Sequence, residues 1–378
     1  MPYEFYMPTR AIVGKDCIIN NSGVFKAFGK KALIVTGKNS AKKNGSEKDV
    51  KAALDSAGIG CAVFDRVVSN PAIPLAYEGA AFARENGADF IVAIGGGSPM
   101  DAGKAIALLA AQDIREEELF SGKYGSRALP ILVVPTTAGS GSEATPYAVL
   151  VDEKAGTKLS IASRLLFPAA AFLDPKYTEM LPVRTTVNTA VDALSHAVES
   201  MLSVKASAVT NALASESLRL IMDCIPEMLQ ALSSPEAAFD AKKRAQLLQA
   251  SFMAGMAIAQ TGTTAVHAMG YSLTCFRDID HGRANGLLLG EYLGMVERER
   301  PDLAGRILGA MGLSGVNRFK RLMDRLLGEK EDIGAEEIER YSRLAFQTKN
   351  IDNSIVRPEE EDIRVMYELS FSRQPVIL

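Results

Sequence analysis

Residues 90–108 read FIVAIGGGSPMDAGKAIAL. The apolar run 90–94 has the length and β-branched content of a strand buried on both faces, and a helix-forming stretch, 100–108, starts soon after it. Gly95-Gly96-Gly97-Ser98-Pro99 joins the two. A strand, a glycine loop and a helix start bring backbone N–H groups close to a pyrophosphate and aim the positive end of the helix at it. A tight turn also explains three glycines, and the spacing is not the G-x-G-x-x-G of dinucleotide-binding units, so the reading needs a second support.

The next strand supplies one. Residues 130–134 (PILVV) lead into Pro135-Thr136-Thr137-Ala138-Gly139-Ser140-Gly141-Ser142-Glu143-Ala144-Thr145, a run of hydroxyl side chains and glycines. Two parallel strands then present donor-rich loops at their carboxyl ends, where open α/β sheets bind ligands. Upstream, 31–36 and 60–65 are further strand candidates and 47–57 and 76–86 carry helix patterns, so right-handed βαβ units and a parallel sheet are expected. Downstream, 147–152 and 158–163 predict a hairpin across the turn Glu153-Lys154-Ala155-Gly156, and Phe172-Leu173-Asp174-Pro175 closes the strand-forming region. From Thr185 onward, amphipathic patterns over 185–204, 206–232, 241–260 and 284–299 predict helices, while 328–340 reads as a solvated loop and helix face. The expected architecture is an α/β dinucleotide-binding domain over residues 1–181 followed by an all-α domain over 182–378.

The 378 residues, 47% hydrophobic and 23% charged, suit a globular protein of two domains. A formal net charge of -3 and a pI near 5.8 offer no basic surface for nucleic acid or an anionic membrane, so neither partner is expected. The start Met-Pro-Tyr-Glu-Phe-Tyr lacks the character of a signal peptide and no long uninterrupted apolar run follows, which predicts a cytoplasmic location. Cys17, Cys61, Cys224 and Cys275 are scattered without a C-x-x-C pair, predicting reduced thiols rather than a disulfide framework or a thiolate zinc site.

Three histidines are the whole complement of the chain. Asp192 and His196 stand four apart in a helix-forming stretch, so both project from one face. His267 and His281 flank a segment containing Gly270 and the turn-prone Arg277-Asp278-Ile279-Asp280. One carboxylate and three imidazoles make a four-ligand set for Fe(II), Zn(II) or another borderline divalent ion, with a further position left for a substrate oxygen. A histidine on an apolar helix is more often a satisfied core residue, and spacing alone leaves that choice open.

Taken together, GGGSPMDAGK at 95–104, PTTAGSGSEAT at 135–145, DALSHAVE at 192–199, VHAMG at 266–270 and HGRAN at 281–285, with PTRAIVG at 8–14 and FLDP at 172–175, resemble the iron-containing (group III) alcohol dehydrogenases across essentially the whole chain. The resemblance implies a Rossmann-like NAD(P)-binding domain, a helical metal-binding domain and a homodimer. It puts the metal ligands on Asp192, His196, His267 and His281. It sets Gly96, Gly97 and Ser98 at the pyrophosphate and Asp101 beside the cofactor, with Thr136, Thr137, Ser142 and Lys158 as other contacts and Asn70 and Thr178 bordering the adenine side. Lys104 stands between a cofactor role and a plain surface lysine, and Glu143 reads as structural.

The implied reaction passes a hydride between a nicotinamide and a small alcohol or aldehyde, aided by a divalent metal on the reacting oxygen, with no nucleophilic serine, cysteine or lysine. Dehydroquinate synthase-like lyases share the architecture, but they call for a basic cluster that the helical half lacks. A metal-free binding relative would have lost a ligand, and none is lost. In NAD-specific relatives an acidic residue follows the strand matching 32–36 and takes the ribose 2′-OH; here Gly37 stands there, followed by Ser40 among Lys38, Lys42 and Lys43. That segment resembles the NADP-using butanol and 1,3-propanediol dehydrogenase-like branch and predicts NADP(H) over NAD(H). Tyr271 replaces a histidine that many members carry one turn after the ligand matching His267; its ordinary pKa of about 10 makes it a hydrogen-bond donor to the reacting oxygen rather than a base.

Overall fold

The computed structural model describes residues 3–153, 156–234 and 239–371. Two compact units divide the chain: one comprises Tyr6–Pro182 and Asp240–Ala259, the other Met1–Phe5, Val183–Phe239 and Gln260–Leu378.

The first unit carries the strands β1 (Arg10–Val13), β2 (Lys31–Thr36), β3 (Gly60–Phe64), β4 (Phe90–Gly95), β5 (Ile131–Pro135), β6 (Tyr147–Asp152), β7 (Thr157–Ala162) and β8 (Ala170–Leu173). Among the described residues, six of them form a parallel sheet in the order β1-β8-β5-β4-β2-β3, and β6 and β7 form a separate antiparallel hairpin. Strands β2, β4, β5 and β8 are almost wholly buried, the pattern of parallel strands covered on both faces. Ile34, Val92, Ile94, Leu132 and Phe172 of these strands share one core with Val50 and Leu54 of the helix Ser46–Ser56. The predicted strands and crossover helices are all present, displaced by up to three residues at their ends. Residues 154 and 155 of the expected hairpin turn lie outside the described residues.

Register decides where the loops emerge. Thr36 lies opposite Ile94, and Gly95 opposite Pro135, so the carboxyl ends of β2, β4 and β5 stand side by side. From β2 the chain moves outward to β3 and then returns to the other side of β2 as β4. That reversal is a topological switch point, and the loops after β2 and β4 leave it together.

The second unit is built of helices, including Val183–Leu202, Ala208–Ser233, Ala265–Arg277, His281–Glu299, Val316–Leu327 and Glu360–Phe371. The helix Ala241–Thr261 runs through residue 259 in the sheet-bearing unit. There Gly255 meets the loop after β5 so closely that a Cβ on it would stand 2.6 Å from the Gly141 carbonyl oxygen. Among the described residues no helix is long and apolar enough to cross a membrane, and none of the four cysteines is in a disulfide.

Candidate metal centre and cofactor loops

The helix Val183–Leu202 carries Asp192, His196 and Glu199 at spacings of four and three residues, so all three side chains share one face. Each is buried. His267 is in the first turn of the helix Ala265–Arg277, and His281 opens the helix His281–Glu299. This last helix begins earlier than its amphipathic pattern suggested, because the Asp280 carboxylate accepts from the Gly282 and Arg283 N–H groups at 3.1 and 3.4 Å and caps it. At Gly282 a Cβ would stand 1.9 Å from the Asn188 carbonyl oxygen and 2.9 Å from Asp192 Cβ. Glycine there lets the helices that carry Asp192 and His281 touch.

Of the four expected ligands, Asp192, His267 and His281 converge, and His196 adjoins Asp192 and His267. His267 Nε2 lies 3.0 Å from His196 Nε2, and Asp192 Oδ1 lies 3.9 Å from both of these atoms and 4.0 Å from His281 Nε2. Asp192, His267 and His281 present ligand atoms within 4.8 Å of one another. Ligand atoms each about 2.1 Å from one divalent ion stand about 3.0–3.4 Å apart, so Asp192, His267 and His281 need a modest contraction to hold one, with His196 outside their 4.8 Å group. His281 is the most open member, with its side chain 29% exposed.

Two further residues complete the centre, and neither was singled out from sequence. Glu199 Oε2 takes the His267 Nδ1, while its Oε1 accepts from Thr264 N and Oγ1, both at 2.8 Å, and from His267 N at 3.3 Å. Burial would raise this carboxyl, but the His267 charge and these hydrogen bonds outweigh it and hold it below its ordinary value. With Nδ1–H committed to Glu199, His267 presents the lone pair of Nε2 to the centre, the orientation that a metal ligand requires. The signal was available, since Glu199 continues the 192–196 face by one more turn. Asn285, one turn after His281 and fully buried, sets its Nδ2 3.2 Å from Asp192 Oδ1 and 3.2 Å from His267 Nε2. Gly270 makes room for it, because a Cβ there would stand 2.2 Å from Asn285 Oδ1.

Tyr271 stacks on His281 with ring centroids 6.0 Å apart and planes at 13°. Burial pushes its phenol well above the ordinary value.

In the sheet-bearing unit the helix Gly97–Ala111 starts directly from β4, with Gly96 as its cap residue. Side chains at Gly96 and Gly97 would press on Thr137 Oγ1 at 2.9 Å and Ser140 Cβ at 3.1 Å. The glycines therefore let the loop after β5 lie against the loop after β4. Thr136 N bonds the Gly95 carbonyl at 2.9 Å, and Ser98 Oγ accepts from Asn70 N at 3.1 Å, where Asn70 adopts φ 54. Half-buried Asp101 accepts from Ser142 Oγ at 2.7 Å and from Val149 N at 3.1 Å; removal from water pushes its carboxyl up, against the pull of Lys104 and Lys158.

Lys104 is no surface lysine. Fully buried, its Nζ donates to Ser142 O and Oγ at 2.7 Å and to Thr145 O and Tyr147 O at 2.9 Å, fastening the second loop to the first helix. Desolvation lowers it to about 8. The buried Glu143 is pushed up to about 7 by the same effect. Thr178 follows β8, with its hydroxyl on Pro175 O at 2.8 Å. After β2, Gly37 sits close to Ser40 and to the Val67 carbonyl, and exposed Lys42 pairs with Asp65 at 2.6 Å.

A chain with glycine-cradled loops at the switch point of a parallel sheet, and a carboxylate with three imidazoles on facing helices, has the parts of a metal- and nucleotide-dependent oxidoreductase. Residues 8–175 match the model of the iron-containing alcohol dehydrogenases, and residues 186–371 match that family's C-terminal domain. The long-chain-alcohol dehydrogenase 1 of Geobacillus thermodenitrificans is 30% identical over 369 residues, 92% of this chain and 91% of that one. The NAD-dependent methanol dehydrogenase of Bacillus methanolicus is 31% identical over 287 residues, covering 75% and 73%. Among solved structures, an iron-containing alcohol dehydrogenase from Thermotoga maritima superposes with a TM-score of 0.90 at 37% identity, over 98% of this chain and 99% of that one. The chain belongs to the iron-containing alcohol dehydrogenase family. It is a metal-dependent alcohol dehydrogenase or aldehyde reductase, and the lyase alternative has no support in these relatives.

Proposed function

We propose that Asp192, His196, His267 and His281 hold one Fe(II) or Zn(II) ion, and that the enzyme interconverts a small aldehyde and its alcohol with NADP(H) in preference to NAD(H). The observation that carries the reading is the convergence of imidazole Nε2 atoms and one carboxylate oxygen, with Glu199 on the far nitrogen of His267. When bound, the ion supplies Lewis acidity that polarises the carbonyl in reduction and favours alkoxide character in oxidation. The chain's own residues do the rest. Glu199 keeps the proton of His267 on Nδ1; Gly96, Gly97, Ser98 and Asp101 receive the pyrophosphate side of the cofactor, with Thr136, Thr137, Ser142 and Lys158 beside them and Asn70 and Thr178 toward the adenine. Tyr271, too weak an acid to act as a base near neutral pH, donates a hydrogen bond and fixes the His281 ring by stacking.

The cofactor preference is supported by the glycine at 37, where no carboxylate repels a 2′-phosphate, and by Ser40 and Lys42 nearby. The Asp65 partner of Lys42 is itself exposed, so the pair opens at little cost when a doubly charged phosphate offers stronger charge-assisted bonds. The domain assignment within this reading is 1–181 for the dinucleotide and 182–378 for metal and substrate, in a cytoplasmic homodimer.

Chelator-treated protein is expected to lose aldehyde reduction and regain it with Fe(II) or Zn(II), and His267→Ala or His281→Ala to lower metal content. Full activity and occupancy in both variants would overturn the metal assignment. Equal or better kcat/KM with NADH than with NADPH would overturn the cofactor assignment alone, and a monomeric mass by light scattering the dimer.

A further inference from the structure

Residues 328–340 (GEKEDIGAEEIER) have the composition of a solvated loop and helix face. Three arginines nevertheless reach this segment or the helix end just before it, one from each helix that carries a metal-ligand residue. Arg184, in the first turn of Val183–Leu202, donates from Nη1 to Leu326 O at 3.0 Å and to Leu327 O at 3.3 Å. Arg283, two residues after His281, donates from Nε to Glu331 Oε1 at 2.6 Å and from Nη2 to Glu331 Oε2 at 3.0 Å. Its Nη1 also donates to Leu327 O and its Nη2 to Glu329 O. Arg277, the last residue of Ala265–Arg277, donates to the two Glu337 carboxylate oxygens at 3.0 and 2.9 Å and to Asp332 O at 2.9 Å.

We propose that residues 326–337 are a strap that holds the three ligand-bearing helices in the arrangement that binds metal, with Arg283 as its principal positioning residue. The proposal rests on the metal assignment above.

The end of a helix explains why arginines gather there. Its last carbonyls have no partner within the helix and carry partial negative charge. Val316–Leu327 stops at Gly328, where a φ of 71 turns the chain away, and the carbonyls of Leu326 and Leu327 are met by guanidinium groups from two other helices. One helix end thereby ties together two helix starts. The Leu327 side chain belongs to the same joint. A Cβ on Gly286 would stand 2.4 Å from Val191 Cγ1 and 3.0 Å from Leu327 Cδ1, so the buried Leu327 lies against the contact between the Asp192 and His281 helices.

Arg283 suits this place because a guanidinium sets its N–H groups in a fixed planar fork. The fork spans two backbone carbonyls and both oxygens of one carboxylate, a set that a lysine ammonium, as a point charge, cannot cover. The far part of the strap is fixed as well. Ile333 is buried, and Glu337 accepts from Gly334 N at 3.2 Å and from the Tyr341 hydroxyl at 2.8 Å in addition to Arg277. His281 shares its helix turn with Arg283 and is the most open ligand residue, so it has the least packing of its own to hold it when Arg283 loses its partners.

The test uses the full chain and reads the metal directly. Zn(II) affinity is measured by competition with a chromogenic chelator, and the visible spectrum of the Co(II)-loaded protein reports ligand geometry. Arg283→Met and Arg283→Lys are each expected to weaken Zn(II) binding by about 10-fold, the lower end of the effect of losing a contact that orients a ligand, and to alter the Co(II) bands. Glu331→Gln keeps the two carbonyl contacts and should move both readouts in the same direction by less. Affinity within threefold of the unaltered protein and an unchanged Co(II) spectrum in Arg283→Met, whatever its Tm, overturn the strap and leave the metal assignment standing. Should the methionine variant not fold, the same result in Arg283→Lys does so. An unaltered chain that binds neither ion overturns the metal assignment, and the strap with it.

Discussion

Replacing Glu199 by Gln isolates what the buried carboxylate does for the metal centre. Glutamine keeps the size of the side chain and one carbonyl oxygen. With that oxygen on Thr264 N, Thr264 Oγ1 and His267 N, the contacts now at 2.8, 2.8 and 3.3 Å, an amide NH2 takes the place of the oxygen that faces His267 Nδ1. Two N–H groups cannot face each other, so the imidazole proton must move to Nε2, the atom 3.0 Å from His196 Nε2 and 3.9 Å from Asp192 Oδ1. A protonated Nε2 has no lone pair to give. Turning the amide over relieves His267 but sets NH2 against three donors, which costs about 1–3 kcal/mol by leaving buried groups unpaired. Either way the penalty falls on the ligand set, and loss of such a supporting contact weakens metal binding by about 10- to 100-fold. That factor corresponds to about 1.4–2.8 kcal/mol. Competition with a chromogenic chelator, using Zn(II) and Co(II), measures it directly without reliance on turnover. A metal affinity within threefold of the unaltered protein, in a variant that remains folded, would refute the role given to Glu199.

Other substitutions probe the cofactor loops and Tyr271. Glu143, raised to about 7 from an ordinary 4.5, binds its proton more tightly folded than unfolded, so between those values stability falls as pH rises; Glu143→Gln should therefore stabilise by up to ~3 kcal/mol at pH 8 and change little at pH 4, and thermal melts showing an equal shift at both would refute this. Lys104→Met leaves the Ser142, Thr145 and Tyr147 carbonyls without their donor and Asp101 without its nearby cation, a loss of about 3–5 kcal/mol that should appear as a lower Tm and weaker cofactor binding by fluorescence titration; a native Tm would count against the strut. Tyr271→Phe preserves the ring on His281 and should leave metal content intact while reducing turnover or shifting substrate preference, and unchanged kinetics across an aldehyde panel would make Tyr271 a packing residue.

The fold was legible where burial is uniform and obscure where it is mixed. β2, β4, β5 and β8 are nearly continuous apolar runs because helices cover both of their faces, and a single sequence displays that directly. β1 is a four-residue edge strand with exposed ends, so it has neither the length nor the alternation that announces a strand, and its pairing to β8 is a long-range event. The helix His281–Glu299 was read from residue 284 for a similar reason: its first turn is defined by the Asp280 cap, not by apolar period.

The candidate site divides along the same line, between what one helix turn encodes and what only tertiary contact creates. Asp192 and His196 share a face through spacing alone, and Glu199 extends that face, so all three were within reach of the periodicity that pointed to the first two. Asn285 was not. Its amide reaches Asp192 because Gly282 brings the backbone of its helix against Asn188, and because Gly270 leaves room for its oxygen. Both glycines lie in ordinary helical stretches, where glycine is usually a small penalty and carries no positional message. Lys104 shows the converse case. From sequence it stands between a cofactor contact and a surface lysine, and only the fold of the loop after β5 reveals that carbonyl oxygens surround its ammonium. Residues that chemistry marks can be listed from sequence as candidates, but those that hold them in place act through backbone approaches whose partners lie far away in the chain. Substitutions at Gly270 and Gly282 should therefore disturb metal binding as severely as loss of a ligand, although neither glycine has an atom to offer the metal.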